Sequence, residues 1–449
     1  MKNKKIMLIV LGIVIVLVVG VLIGRASISL KSEKDNIKMD RLDAVQSKGL
    51  GDFCVDEANC RDFCSNNLEK CEEYCEGNEN ELCNVILSSN GNTQEKTRQN
   101  GIIRDDGCEG TKTKFDFAPV NLDKTKVFLP LGLMVGGHVT PIDHHYFQNF
   151  GNEEYDIEIY SPGKGYITSI QHMPGAEEGK DYRMIIEHTC TISSIYIYVS
   201  NLPEKINRYT TEEMKNDRIN IPVEEGELIG YYKNNLDYNL VDKEVILPGF
   251  IVPEHYRAEE WKIHVPNTYD YFNEPIRSKL IELSIRIEEP LSGKIDYDID
   301  GKLVGNWFLE GSDGYAGDST SLERYWLGHL SFVYDAYDTK RIVLSIGNYN
   351  GEDSSQFSVK GNTPDPAGIS VDDGIIKYEL VRYDYVNLDG SSWDRISPVK
   401  GLKTIEIQNV EGIVLAQMIE GRKIKFEAFP KMTASQVSGF TSNAKVYER

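Results

Sequence analysis

The sequence lacks an excess of positive charge and contains few tryptophans. Its 449 residues carry 49 Lys and Arg against 70 Asp and Glu, which gives a formal net charge of −21. Nucleic acid and anionic lipid surfaces repel such a chain, so both are excluded as partners of the folded body. The 25 Tyr residues far outnumber the 4 Trp, and β-branched residues are abundant. Because these residue types favour strands, the composition predicts a mainly β fold.

The sequence has only one apolar run of membrane-spanning length, from Ile6 to Gly24. The run is uncharged and long enough to cross a hydrocarbon core of about 30 Å. Three lysines precede it, whereas one arginine follows closely, so the positive-inside rule predicts an extracytoplasmic body. A cleaved signal peptide is the alternative, but the run is longer than a signal peptide requires and only a weak cleavage site ends it. We therefore predict a single-pass protein of the cell membrane.

The predicted anchor contains no cysteine, since all eight cysteines follow it. Clustered cysteines outside the membrane predict disulfides in an oxidising compartment. Cys60 and Cys64, and likewise Cys71 and Cys75, have three residues between them and would lie on one face of a helix. Two such helices predict a helical hairpin that is closed by disulfides. A zinc site is disfavoured because zinc motifs usually have shorter Cys-x2-Cys spacings. The cysteines are Cys54, Cys60, Cys64, Cys71, Cys75, Cys83, Cys108 and Cys190. If two disulfides close the hairpin, the pairs Cys54–Cys83 and Cys108–Cys190 would complete the set, but the sequence does not determine which cysteines pair.

Changes in composition divide the chain into six segments. Beyond about residue 115, short apolar runs alternate with Gly, Pro and Asn turns, which predicts strands. Asp300-Gly301 predicts a hairpin turn, and only 210–218 and 274–283 have helical character. The predicted segments are a cytoplasmic tip with the transmembrane anchor (1–25), a stalk (26–52), a Cys-rich helical hairpin (53–87), a linker (88–112), a β domain (113–289) and a C-terminal β domain (290–449).

The densest group of reactive side chains lies in residues 136–145, which include three of the eight histidines. Imidazole and carboxylate groups at such short separation can converge on a metal such as Zn²⁺. A polar loop whose histidines bond to backbone or solvent is the equal alternative. His144 and His145 point to opposite faces if this segment is extended, so at most one of them should join His138.

The order of motifs from about 130 to 266 resembles the β-rich domain of the lysostaphin-type zinc endopeptidases. This family has the duplicated-hybrid-motif fold and cuts peptide bridges in cell-wall polymers. Each motif is weakly specific alone, and their shared order is more specific. In chain order the motifs are Gly137-His138 through Asp143, Pro162-Gly163-Lys164-Gly165-Tyr166-Ile167, Met184-Ile185-Ile186-Glu187-His188, Tyr196-Ile197-Tyr198-Val199, Val223-Glu224-Glu225-Gly226-Glu227-Leu228-Ile229-Gly230 and Lys262-Ile263-His264-Val265.

The resemblance implies zinc ligands at His138, Asp143 and His264, with zinc as the only implied cofactor. Four residues separate the first two, whereas the family has three. The family's catalytic histidines map onto Tyr198 and Lys262. With ordinary pKa values of about 10 and 10.4, Tyr and Lys are poor general bases at neutral pH, although a lysine can donate to an oxyanion. The resemblance therefore implies a degenerate domain whose peptidase activity is lost.

These observations lead to three hypotheses of function. The first is an extracytoplasmic protein with a degenerate peptidase-like domain that serves binding or envelope structure. The second is an active zinc metallohydrolase that cleaves cell-wall peptides, and the third is a surface adhesin or assembly subunit. The expected partners are the membrane, through the N-terminal helix, and a cell-envelope polymer or surface protein.

The C-terminal segment shows no catalytic group of residues. Its closely spaced Asp296, Asp298 and Asp300 lack the glutamate that closes a calcium loop. Several aromatic residues near Gly-rich turns favour core packing over a ligand-binding face for sugar or peptide. These aromatics are Trp307, Tyr315, Tyr325, Trp326 and Phe332.

Overall fold

The computed structural model describes residues 113–150, 156–173, 180–210, 219–317, 322–351 and 354–449. All of them belong to the compact unit Thr97–Arg449. The predicted anchor, stalk, Cys-rich hairpin and linker lie outside the described residues. In the part of the chain that is described, no helix has the length and apolar character needed to cross a membrane. Cys190 is disulfide-bonded, and its predicted pairing with Cys108 stays a prediction.

The prediction of a mainly β fold is confirmed. The strands are β1 (Val127–Leu129), β2 (His145–Gln148), β3 (Ile157–Tyr160), β4 (Gly165–His172), β5 (Tyr182–Glu187), β6 (Ile192–Val199), β7 (Ile221–Val223), β8 (Leu228–Tyr232), β9 (Asn235–Asp242), β10 (Gly305–Leu309), β11 (His329–Tyr334), β12 (Ile342–Ile346), β13 (Ser355–Val359), β14 (Ile376–Asn387), β15 (Leu402–Glu420), β16 (Lys423–Pro430) and β17 (Lys445–Glu448). In the described part of the chain, the α-helices are α1 (Glu204–Asn207) and α2 (Ile276–Leu283). Short 3-10 segments are Pro253–His264, Thr268–Tyr271, Gly314–Ala316, Leu322–Gly328, Lys360–Asn362 and Val371–Asp373.

The first half of the described chain forms a seven-stranded antiparallel sheet in the order β1-β2-β9-β6-β5-β4-β7. A two-stranded sheet of β3 and β8 contributes Ile159 and Ile229 to the same core as Met184 and Tyr196 of the large sheet. Alternate residues of a strand point to opposite faces. One face of the large sheet is therefore committed to this core, and the other face is left to build the site.

The second half forms a closed antiparallel barrel of eight strands, β10 to β17 in sequence order. Closure removes unpaired strand edges. Its interior is filled by side chains, including Trp307 and Phe332, which are both fully buried. These two aromatics pack in the core, as predicted. The domain boundary predicted between residues 289 and 290 falls between α2 and β10 and stays a prediction.

The predicted hairpin at Asp300-Gly301 is wrong. A turn forms there, with Gly301 at φ 72°, but residues 295–299 are in no strand and β10 begins only at Gly305. The Asp298 carboxylate accepts the backbone N–H of Asn306 at 2.8 Å. Side chains of this type compete with strand pairing for backbone groups, which explains why the alternating sequence before the turn forms no strand.

Candidate functional site

A cavity of about 290 Å³ lies on the free face of the large sheet, and we call it the Lys262 cavity. Its floor is formed by Ile195 and Ile197 of β6, with Arg183 of β5 on one side and Asn239 of β9 on the other. The lining residues are His138, Asp143, His144, Met173, Arg183, Ile195, Ile197, Tyr198, Asp237, Asn239, Glu259, Trp261, Lys262, Tyr315 and Tyr325. The cavity therefore combines sheet residues with residues of the loop before β2 and of the 3-10 segments.

A β-bulge in β6 brings Tyr198 into the cavity beside Ile197. In the pairing of β5 with β6, Tyr182 faces Val199 and Met184 faces Tyr196, so one residue of β5 stands opposite two of β6. Tyr198 has φ 73°, a backbone conformation that is uncommon for residues other than glycine. Bulges of this kind redirect side chains at functional sites. The bulge leaves the Tyr198 side chain 41% exposed, at a place where regular alternation would turn it away from the cavity.

The centre of the cavity is a buried ion pair. The Lys262 ammonium lies 2.7 Å from Asp143 Oδ1, and each residue is only 4% exposed. The other carboxylate oxygen of Asp143 accepts hydrogen bonds from Trp261 Nε1 at 2.8 Å and Asn239 Nδ2 at 3.2 Å. Both oxygens of this carboxylate are therefore engaged by side-chain donors.

Electrostatics keep this pair charged. Burial alone would raise the pKa of Asp143, but Lys262 and His144 outweigh burial and hold this pKa well below its ordinary value. Burial would lower the pKa of Lys262, but the charges of Asp143 and Glu259 outweigh it and raise this pKa. Glu259 Oε2 lies 3.2 Å from the ammonium, and the Tyr315 ring centroid lies 4.5 Å away, within cation–π distance.

His144 lies between two carboxylates of the cavity. Its Nδ1 lies 3.4 Å from Asp143 Oδ1, and its Nε2 lies 3.3 Å from Asp237 Oδ2. Burial lowers the pKa of His144, but the hydrogen bond to Asp143 and the charge of Asp237 outweigh burial, so the pKa is raised. Burial lowers the pKa of the neighbouring His138 to about 4. Two imidazoles whose pKa values are shifted in opposite directions therefore lie side by side, with ring centroids 5.9 Å apart.

The prediction that at most one of the adjacent histidines joins His138 is confirmed. His144 lines the cavity, whereas His145 is fully buried on the other side of β2. Its two ring nitrogens bond to the Leu129 carbonyl at 2.9 Å and to Thr268 Oγ1 at 3.0 Å. The opposite directions of the two rings follow from strand alternation.

The zinc ligands expected from the resemblance are not assembled as a set. His138 and Asp143 line the cavity, but His264 does not. His264 ends a 3-10 segment instead of lying in a strand, and its Nδ1 bonds to the Val245 carbonyl at 2.6 Å. Among the described residues, no group of three His, Cys, Asp or Glu side chains is arranged to hold a metal ion.

The groups that surround Asp143 also disfavour a zinc site. To bind zinc, Asp143 would need a carboxylate oxygen free to approach the ion to about 2.0–2.2 Å, whereas both of its oxygens are engaged by side-chain donors. The Lys262 ammonium at 2.7 Å would also repel a dication at this position. The residues present do not fit zinc, and we derive no reaction step that requires it.

Sequence reasoning missed several residues of the cavity: Arg183, Asp237, Asn239, Glu259 and Trp261. Strand alternation places Asp237 and Asn239 on the same face, and Trp261 is adjacent to Lys262. Those signals were present, but nothing in the sequence indicated which sheet face lay open. Of the C-terminal aromatics, Tyr315 and Tyr325 line the cavity. Tyr315 is also buried in a hydrophobic cluster against which Tyr325 packs, so these two rings combine core packing with a place at the cavity wall.

Two larger cavities, of about 500 and 480 Å³, lie elsewhere in the described part of the chain. In the first, Arg286 donates to backbone carbonyls and Lys294 pairs with Asp296 at 2.6 Å. In the second, the Glu427 carboxylate accepts hydrogen bonds from Thr441. Of the three cavities, the Lys262 cavity is the stronger candidate for a functional site despite its smaller volume, because Asn239 and Arg183 in its lining each have a buried polar atom without a partner among the described residues.

The buried histidines predict that acid destabilises the fold. Burial lowers the pKa of His138 and His188 to about 4 and that of His145 and His329 to about 3, from 6.5. Each contribution to stability is complete above the unfolded pKa of 6.5 and is lost as the pH falls through the folded value. We expect the free energy of unfolding in urea to fall by several kcal/mol between pH 7 and pH 5, at up to about 1.4 kcal/mol per pH unit for each group.

His144 should behave in the opposite way. Because its folded pKa is raised, its contribution is complete below 6.5 and is lost as the pH rises through the folded value. Proton NMR of the histidine C2–H signals should show one imidazole that titrates above 6.5, assigned through a His144→Gln variant. Titration of every histidine signal near 6.5 would contradict both expectations.

Comparison with known proteins gives little support for a family. No protein-family model matches the chain, and no curated protein matches it. Eight chains of solved structures match, among them the NMR solution structure of lysostaphin. That match has 8% sequence identity and a TM-score of 0.20, and it covers 69% of this chain and 80% of that chain. A likeness at this TM-score carries no argument about fold or activity. The fold and the Lys262 cavity define a mainly β protein with a buried Asp–Lys ion pair in that cavity.

Proposed function

We propose that this protein is a membrane-anchored extracytoplasmic protein whose peptidase-like domain binds a ligand without metal and without hydrolysis. The observation that carries the proposal is the Lys262 ammonium 2.7 Å from the Asp143 carboxylate. The amine supplies, inside the chain, the positive charge that a metal ion would otherwise bring to this carboxylate. The membrane anchor rests on the apolar run Ile6 to Gly24 and its flanking charges.

The protonation states of the cavity support binding over hydrolysis. A general base needs a pKa near the working pH to take a proton from water. Burial and the charge of Asp237 raise the pKa of Tyr198 above its ordinary 10.0, and the pKa of Lys262 is raised as well. His138, with a pKa of about 4, is neutral but only weakly basic. The two positions that correspond to the family's catalytic histidines therefore stay protonated near neutral pH.

Metal analysis and a hydrolysis assay on the purified full-length protein test the proposal together. After incubation with excess zinc and desalting, we expect far less than one zinc per chain and no cleavage of a cell-wall peptide. His172→Ala serves as the control variant, because His172 lies on β4 outside the lining of the cavity. Stoichiometric zinc that is lost in His138→Ala but kept in the control would overturn the proposal and favour the active zinc hydrolase.

A further inference from the structure

Asn239 presents an unused hydrogen-bond acceptor to the cavity. Its side-chain amide donates through Nδ2 to Asp143 Oδ2 at 3.2 Å. Since a carboxylate only accepts hydrogen bonds, the amide orientation is fixed and Oδ1 points away from Asp143. Oδ1 is buried without a partner among the described residues, and Asn239 as a whole is 4% exposed. A buried acceptor without a partner is costly, so this atom is ready to accept an N–H group of a ligand.

Arg183 presents an unused donor at the other side of the cavity. Its Nη2 is buried without a partner in the described part of the chain, whereas Nη1 donates to Gln171 at 3.4 Å. The guanidinium lies over the Trp261 ring, 5.2 Å from the ring centroid, which fixes its direction. A guanidinium with a free N–H is suited to a carboxylate or carbonyl oxygen.

The two groups stand at opposite ends of an apolar floor. Asn239 pairs with Ile195 of β6, and Ile195 pairs with Ile185 of β5. Arg183 lies two residues along β5 and therefore on the same face. Two strand spacings of about 4.8 Å each separate β9 from β5. A ligand that reaches both groups must therefore be elongated, with an apolar middle over Ile195 and Ile197.

Each end of the cavity carries a charged side chain. Asp237 lies two residues before Asn239 on the same face of β9. Its Oδ1 accepts a hydrogen bond from Asn235 Nδ2 at 2.8 Å and its Oδ2 lies 3.3 Å from His144 Nε2, and each oxygen has a second lone pair for a ligand N–H. The guanidinium of Arg183 marks the other end, where the charge of the Glu259 carboxylate also acts on it. Two aromatic rings of the lining are covered, since Arg183 lies over Trp261 and Lys262 over Tyr315, whereas Tyr198 is 41% exposed. The charged groups at the two ends favour a ligand with one charge of each sign.

From this arrangement we infer that the Lys262 cavity binds a linear zwitterion, with its carboxylate on Arg183, its ammonium on Asn239 and Asp237, and its apolar chain over Ile195 and Ile197. The inference rests on the proposed function and names its ligand class. Free ω-amino acids and short peptides with both ends free share this chemistry.

Three probes of equal chain length test the inference by calorimetric titration of the full-length protein. They are 6-aminohexanoate, with both charged ends, hexanoate, with the carboxylate only, and hexylamine, with the ammonium only. We expect 6-aminohexanoate to bind at least about tenfold more tightly than either single-ended probe, since each end adds one charged hydrogen bond. Glycylglycine and glycylleucine then show whether short peptides are bound as well as the ω-amino acid.

Variants at each end separate the two contacts. Arg183→Met should weaken 6-aminohexanoate and hexanoate about tenfold and leave hexylamine unchanged. Asp237→Asn should weaken hexylamine and leave hexanoate unchanged, which keeps the test decisive if the first variant unfolds. Arg208→Met, a change on the exposed surface beside α1, is the matched control and should bind like the parent.

Two outcomes would overturn the inference. One is no binding of any probe at millimolar concentration, and the other is an equal loss for all three probes in Arg183→Met with the fold intact by circular dichroism. Zinc content and peptide cleavage are separate measurements. A protein that binds no probe, takes up no zinc and cleaves no peptide would remove this ligand class and leave the metal-free proposal standing.

Discussion

Lys262→Met should lower the free energy of unfolding by about 3–5 kcal/mol, because it leaves the buried Asp143 carboxylate without its cation. The variant keeps the apolar stem of the side chain and removes only the ammonium. Trp261 and Asn239 still donate to Asp143 Oδ2, but they do not replace a full positive charge. Urea unfolding of the full-length protein, followed by tryptophan fluorescence, measures the loss.

A matched surface pair and a double variant test this explanation. Lys205 pairs with Glu227 at 2.6 Å, but the two side chains are 41% and 26% exposed, so Lys205→Met should cost at most about 1 kcal/mol. Combining Lys262→Met with Asp143→Asn removes both charges and should cost clearly less than the two single losses added together. A loss in Lys262→Met no larger than in Lys205→Met would contradict the buried ion pair.

Arg449→Met should cost a similar amount, about 3–5 kcal/mol, because the guanidinium is buried against the barrel. Its side chain is 1% exposed and lies 3.4 Å from the Asp298 carboxylate. It also donates to the carbonyls of Val304 at 2.6 Å, Ile299 at 2.9 Å and Lys302. The Trp307 ring centroid lies 3.9 Å from the guanidinium carbon. The midpoint of urea unfolding checks the expected loss.

The loss in Arg449→Met should also depend on pH. Burial raises the pKa of Asp298 from 3.8 to about 6 despite the charge of Arg449. An acid whose pKa is raised in the folded state contributes its full stability below its unfolded pKa of 3.8 and loses that contribution as the pH rises through the folded-state pKa. Without Arg449 this pKa rises further, so the cost of the variant should be larger at pH 8 than at pH 5.

The exposed Arg422, paired with Asp300 at 3.0 Å, provides the control for this pH dependence. Arg422→Met should cost at most about 1 kcal/mol at either pH. Equal losses in Arg449→Met at pH 5 and pH 8 would show that Asp298 is not the group that the arginine neutralises.

Four of the five site residues singled out from the sequence line the cavity. His138, Asp143, Tyr198 and Lys262 all line it, whereas His264 does not. The four are recognisable because they stand in motifs with a fixed chain order. His264 follows Lys262 by two residues, and in a strand both would point the same way. The 3-10 geometry of Pro253–His264 breaks that rule, and a motif cannot reveal this.

The remaining residues of the cavity depend on packing across long sequence separations. Trp261 and Lys262 meet Asp143 across 118 and 119 residues of sequence. Arg183 becomes a candidate only when the bulge at Tyr198 and the position of Trp261 are known. The orphan acceptor on Asn239 is visible only once Asp143 has fixed the orientation of the amide.

The sequence by itself determined the strand-rich character of the chain, since residue type and alternation are local properties. It also predicts the anchor, which lies outside the described residues. Only the tertiary structure decided that Lys262 neutralises Asp143, that His264 bonds to backbone instead of sharing the site, and that one sheet face stays open. The physical reason is that charge neutralisation and burial depend on contacts between side chains that are far apart in the sequence, and only the fold determines those contacts.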